Sequence, residues 1–90
     1  MYFLSINKIK PVTDPAVIKE VIHSHIQWTK KMILHGKIVQ AGKWGKEGGM
    51  AVFKASDIAT AKMMLNEDPI VKSGLVTLEI EQFFPDVEIR

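Results

Sequence analysis

Val17-Ile18-Lys19-Glu20-Val21-Ile22-His23-Ser24-His25-Ile26-Gln27-Trp28-Thr29-Lys30-Lys31-Met32-Ile33-Leu34 is the stretch on which the fold turns. At about 100° per residue its apolar positions close into one stripe, the mark of an amphipathic helix. Ile18, Val21, Ile22, Ile26, Trp28, Thr29, Met32 and Ile33 gather on one side, and Lys19, Glu20, Ser24, Gln27, Lys30 and Lys31 on the other. Asp14 is placed to cap the start, with Pro15 at the first helical position. Gly36 supplies the stop after His35. One residue breaks the pattern: His25 falls near the centre of the apolar stripe.

Working outward, Tyr2–Ile9 alternates, with Tyr2, Leu4 and Ile6 facing one way and Phe3, Ser5 and Asn7 the other, as a strand does. Ile38–Ala41 and Met50–Ala55 are short strands joined by the glycine-rich segment 42–49. Ser56 or Asp57 caps a second helix that carries Ile58, Ala61 and Leu65 inward and ends near Asp68-Pro69. Leu75–Phe84 alternates again, Val76, Leu78, Ile80 and Phe84 against Thr77, Glu79, Glu81 and Phe83. The order strand, helix, strand, strand, helix, strand, with right-handed crossovers, predicts an α+β ferredoxin-like sandwich. Its sheet is four-stranded and antiparallel, with both helices on one face and a single domain over residues 1–90. The other face is expected to present Thr77, Glu79, Phe83, Phe3 and Asn7, a mixed surface that suits pairing with a second copy.

With 90 residues the chain supports one small core, and 47% hydrophobic with 24% charged residues is the composition of a soluble globular protein. A net charge of +2 is too weak a bias to argue for nucleic acid or an anionic membrane. The absence of cysteine excludes disulfides, thiolate nucleophiles and cysteine-ligated metals. No apolar run approaches the roughly 20 residues of a membrane span, and Tyr2–Ile6 is too short for a signal-peptide core. The cytoplasm is the expected compartment.

His25 admits two readings. It is a core histidine with a satisfied partner, or it is a proton carrier, the role for which imidazole is best suited near neutral pH. Asp68 is its natural partner, because the second helix should pack beside the first. A carboxylate on one imidazole nitrogen fixes the tautomer and makes the other nitrogen a better base. The alternative for Asp68 is a cap on the turn into Pro69 and Ile70–Ser73. His23 is two residues away and diverges from His25 by about 200°, and His35 lies roughly 15 Å further along the axis. These three do not make a zinc site, and neither metal nor cofactor is expected.

Gly42-Lys43-Trp44-Gly45-Lys46-Glu47-Gly48-Gly49 lacks the ending of a phosphate loop and opens no helix. It reads either as a mobile hairpin connection or as a flap, with Trp44 as a lid and Lys43 or Lys46 anchoring a carboxylate-bearing ligand. RNA-recognition domains share the element order, but they stack bases on exposed aromatics. Met50 and Val52 share one face and Ala51 and Phe53 the other, so at most one aromatic is offered. Nucleic-acid binding is not expected. Trp28 is a packing residue that also flanks the His25 position.

The chain resembles the YCII-related (YciI-like) family. The likeness runs through Tyr2-Phe3-Leu4, His25-Ile26-Gln27-Trp28, Gly36-Lys37-Ile38-Val39-Gln40-Ala41-Gly42, Gly48-Gly49-Met50-Ala51-Val52-Phe53, the Ala-rich second helix, and Asp68-Pro69 before Gly74-Leu75-Val76. It implies a dimeric α+β barrel in which the helix histidine and the aspartate of Asp-Pro, here His25 and Asp68, form a catalytic dyad. Many relatives carry arginine three residues before the histidine, where this chain has Ile22. They often carry an aromatic at Ile70 and a proline at Lys43. The missing arginine moves the search for an anion-binding group to Lys43 and Lys46.

The expectation is a small homodimeric enzyme doing acid–base chemistry, an isomerisation or an elimination, on a lactone-like or carboxylate-bearing molecule. His25 would shuttle the proton and Asp68 orient it, while Ser5, Asn7, Trp28, Lys43 and Trp44 contact the ligand. The alternative is a non-catalytic ligand-binding or dimerisation module whose His25–Asp68 pair is structural.

Overall fold

A helix begins where Asp14 accepts a hydrogen bond from the Ala16 amide at 2.9 Å and Pro15 occupies its first turn. In the computed structural model, which describes residues 1–11 and 13–88, this is α1 (Pro15–Leu34). It follows β1 (Tyr2–Ile9) and precedes β2 (Ile38–Trp44), β3 (Gly48–Lys54), α2 (Ile58–Asn66), α3 (Pro69–Lys72) and β4 (Val76–Phe83). Gly36 ends α1 at φ 73°, donating to the Ile33 carbonyl while Lys37 donates to that of Met32. That double bond is a Schellman motif, which an L side chain at the glycine would strain. None of the described helices is long and apolar enough to cross a membrane.

The strands form one antiparallel sheet in the order β2-β3-β1-β4. This is the ferredoxin-like α+β sandwich expected from the element order. Residues directly opposite in an antiparallel sheet share a face, so the register sorts the side chains. Phe3, Ser5 and Asn7 lie under the helices with Phe53, Ala51 and Gly49 of β3 and Gln82, Ile80 and Leu78 of β4. Tyr2, Leu4 and Ile6 look the other way, with Met50, Val52, Glu79, Glu81 and Phe83. Phe3 and Asn7 were expected on the open face and are not there. The open face does carry Thr77, Glu79 and Phe83, but its apolar part is built from Leu4, Ile6, Met50 and Val52.

A bulge between Ile38 and Gln40 leaves Val39 out of register. Beyond it Ala41 and Lys43 share the helix-covered face of Ile38, while Trp44, opposite Gly48, turns to the open face. One extra residue in a strand re-aims every side chain that follows. Both strands also run further into the glycine-rich segment than expected, so the connection shrinks to Gly45-Lys46-Glu47, with Gly45 at φ 63°. The expected mobile flap is mostly β-ladder.

The core sits at one end of the covered face. Phe3 and Phe53 stack at 5.9 Å between centroids and 28° between planes, packed with Met32, Ile38, Ala61 and Leu65. Ala61 and Leu65 point inward as expected, while Ile58, in the first turn of α2, stays largely exposed. Ile26 and Ile33, expected on the buried stripe of α1, lie at its flanks and remain exposed. Phe84 lies past the end of β4 and is exposed as well.

Candidate active site

Further along the same face the side chains become small. One cross-strand row reads Ala41, Ala51, Ser5, Ile80, and the next reads Lys43, Gly49, Asn7, Leu78. Over this floor α1 cannot close down, and a cavity of about 550 Å³ remains. Ile22, His25, Trp28 and Thr29 line it from α1, Leu65 from α2, Asp68 from the turn between α2 and α3, and Ile70 from α3. A volume of several hundred Å³ lined mainly by apolar groups with a few polar ones is the usual form of a small-molecule site.

Asp68 reaches His25 because Asp68-Pro69 starts a new helix. Its carboxylate accepts from the Ile70 amide at 3.1 Å and caps α3, and α3 packs against α1. From there the same carboxylate lies against His25 Nδ1, at 2.7 Å from Oδ1 and 2.9 Å from Oδ2. Both readings of Asp68, cap and histidine partner, hold in the geometry at once.

The pair fixes its own proton positions. An ionised carboxylate only accepts, so Nδ1 carries the hydrogen, and in the neutral imidazole the lone pair is then on Nε2. Nε2 has no hydrogen-bond partner among the described residues, and no buried side-chain nitrogen or oxygen among them is orphaned. The free nitrogen is therefore within reach of solvent, on a side chain that lines the cavity. Asp68 is 4% exposed, whereas the His25 side chain keeps 25% of its surface. The arrangement is a buried anchor beneath an accessible base. Thr29 adds a hydrogen bond from its hydroxyl to the His25 carbonyl at 2.9 Å.

Lys43 and Lys46 stand on the exposed rim of the cavity, and Lys30 joins them from α1. Among the described residues none of the three is in an ion pair, and Asp68 is the sole acid in the lining. The rim is therefore electropositive.

Neither a family model nor a curated protein sequence matches the chain, but solved structures do. The 5-chloro-2-hydroxyhydroquinone dehydrochlorinase TftG from Burkholderia phenoliruptrix AC1100, solved with 2,5-dihydroxybenzoquinone, superposes with a TM-score of 0.78. It covers 93% of this chain and 94% of its own at 20% identity. Muconolactone isomerase superposes with a TM-score of 0.75 over 100% of this chain and 96% of its own, at 15% identity. Both neighbours are dimeric α+β barrel proteins, and this chain shares their fold. At these identities the likeness establishes the fold alone.

Within this fold, Ser5, Asn7, Trp28 and Lys43 line the cavity beside His25 and Asp68. Trp44 does not. It is 48% exposed on the opposite face of the sheet, so the expected lid is absent, and the Val39 bulge is the reason. His23 and His35 are exposed, and no cluster among the described residues could hold a metal ion. The floor residues Ala41, Gly49 and Ala51 were not anticipated as part of a site. Their signal was present in the sequence as small residues at alternate strand positions.

Proposed function

We propose that the protein is a small-molecule isomerase or lyase of the YCII-related (YciI-like) kind, in which His25 moves a proton and Asp68 holds it in place. The observation that carries this is the orientation of His25. Nδ1 is anchored on a buried carboxylate, and Nε2 is unpaired on a side chain that lines a cavity of about 550 Å³. A ligand carbon placed against Nε2 loses its proton to the lone pair, and the carboxylate offsets the charge that forms on the ring. The unpaired lysines on the rim favour a ligand with a carboxylate or another acidic oxygen. A dehydrochlorinase and a lactone isomerase share the fold, and both names describe chemistry on small oxygenated molecules.

The open sheet face is the proposed homodimer surface. Leu4, Ile6, Met50 and Val52 form its apolar centre, with Trp44 and Phe83 toward the two edges. A domain this small gains from covering such a surface. Sedimentation at micromolar concentration should give a dimer, and a concentration-independent monomer removes this part of the proposal.

The acid–base reading is tested by deuterium exchange into β,γ-unsaturated five-membered lactones, followed by NMR. Wild type should accelerate exchange, with a fall of about 10²-fold in His25→Ala and Asp68→Asn. Equal rates in wild type and His25→Ala overturn it. The burial of Asp68 and its bond to the Ile70 amide favour a second reading, a purely structural pair. On that reading every Asp68 substitution lowers stability and none alters a ligand response.

A further inference from the structure

Ser5 is 3% exposed, and none of the side-chain hydrogen bonds among the described residues involves its hydroxyl. A buried hydroxyl without a partner costs on the order of 1–3 kcal/mol, so a fold keeps one only where something else satisfies it. Among the described residues no buried side-chain oxygen is sealed off from solvent without a partner, and Ser5 lines the cavity. Its hydroxyl therefore faces the space below His25.

Asn7 is two residues further along β1 and lines the same cavity. Its side chain lies across Gly49: a Cβ built there would sit 3.2 Å from Asn7 Oδ1 and 3.3 Å from Nδ2. Oxygen and nitrogen are nearly equidistant and both closer than Cγ at 3.6 Å, so the polar edge of the carboxamide is turned over the glycine, in space that any other residue would claim. The amide hydrogen-bonds no described residue. Two neutral donors thus stand on a floor whose other inward residues are apolar or glycine apart from Lys43 at its edge, with the His25 base on the helix above.

We propose that Ser5 and Asn7 form an oxygen-binding strip that holds the two oxygens of an enolisable ring while His25 moves its proton. This rests on the acid–base reading above and names the ligand class it implies. Side chains at i and i+2 of a strand stand about 6.5–7 Å apart. A single oxygen within about 3 Å of both donors would need them closer, so the spacing fits two oxygens on one small ring. As Nε2 takes the proton from the carbon next to a carbonyl, the C–H pair becomes the C=C bond of an enolate. The carbonyl π pair moves onto its oxygen, and Ser5, the more buried donor, hydrogen-bonds the charge that develops there. Asn7 holds the second oxygen. When the carbonyl re-forms, the electron pair either takes the proton back from Nε2 at another carbon or expels a leaving group with its bonding pair. In the second case Nε2 passes its proton to that group or to water.

The test compares two anionic probes, 2,5-dihydroxybenzoquinone, an enolised ring with oxygens on opposite sides, and benzoate, which has no ring oxygen. Both feel the rim lysines equally in kind, so the comparison isolates the strip. Dihydroxybenzoquinone should bind wild type with Ser5→Ala and Asn7→Ala each weakening it about tenfold, and Gly49→Ala following Asn7→Ala. Benzoate affinity should stay within about twofold in all three. If His25→Ala weakens dihydroxybenzoquinone and the strip variants do not, the strip is overturned and the acid–base reading stands. Equal weakening of both probes by Ser5→Ala and Asn7→Ala also overturns it, because the effect is then general packing. If dihydroxybenzoquinone does not bind wild type, the strip is overturned, while the acid–base reading is decided by the lactone exchange.

Discussion

Two ends of one sheet face, two residues apart along the same strands, have opposite characters. At one end Phe3 and Phe53 stack beneath Met32 and Leu65, and Phe53 has no exposed surface. At the other end Ser5 and Ala51 take the next inward positions, Gly49 and Asn7 the ones after, and the helix above stands over space. The strands, the twist and the covering helix are shared, so side-chain volume alone makes the difference. Protein interiors are packed to near-crystal density, and a run of small residues on an inward face leaves a hole unless a ligand belongs there.

That contrast breaks most visibly at Phe53. Phe53→Ala should destabilise by about 3–5 kcal/mol in denaturant unfolding. Ala51→Val, one pleat along, should change stability by less than about 1 kcal/mol while removing the response to ligands. A comparable loss in both would mean that the cavity end is packed as tightly as the core.

Asp68 comes next, because it joins the two ends. Asp68→Ala removes both the partner of His25 and the α3 cap, and should cost about 2–3 kcal/mol. Asp68→Asn keeps a good cap, since asparagine ranks with aspartate there, and should cost less than about 1 kcal/mol while still losing the proton-transfer activity. Equal losses in the two variants, measured by urea midpoints, would place the value of Asp68 in its charge and not in its cap.

Gly48 sharpens the comparison from the neighbouring strand β3. A Cβ there would meet the Asn7 carbonyl oxygen at 2.5 Å. That atom is backbone and cannot swing aside, so Gly48→Ala should cost about 1–2 kcal/mol through displacement of β1. Gly49→Ala meets only the tip of the Asn7 side chain and should cost less. A reversed order in thermal melts would contradict this register.

The smallest effect lies at Asp57, far from the cavity. The Thr60 amide, donating at 2.7 Å, holds the Asp57 carboxyl below the usual carboxylate range, with the Thr60 hydroxyl assisting. A carboxyl with a lowered folded pKa stabilises the fold above its unfolded value and loses that contribution as pH falls through the folded one. Acid titration of stability should therefore show a shallower loss in Asp57→Ala than in wild type. An unchanged acid limb would mean that the cap contributes nothing through its charge.

The helix boundaries were legible in the sequence because their signals are local: Asp14-Pro15, Gly36, Asp57 and Asp68-Pro69 each act within a few residues. The His25–Asp68 contact was legible too, since a histidine on an apolar stripe needs a partner. The facing of β1 was not. Ser5 and Asn7 are polar, and polar residues on an alternating strand read as the solvent side; here they point inward at a cavity that pattern rules do not anticipate. Trp44 was misplaced for a different reason. A bulge depends on how two strands pair, and nothing in Ile38-Val39-Gln40 by itself announces it.

The carboxylate that caps α3 and anchors His25 ties a single amide proton to the site. α3 spans only Pro69–Lys72, too short to persist without its cap and its packing. Whenever Asp68 lets go, the Ile70 N–H loses its acceptor and His25 its anchor together. Hydrogen exchange at Ile70 is thus a clock for the imidazole: its protection factor reports how often the base is out of position, in a protein whose substrate need not be in the tube.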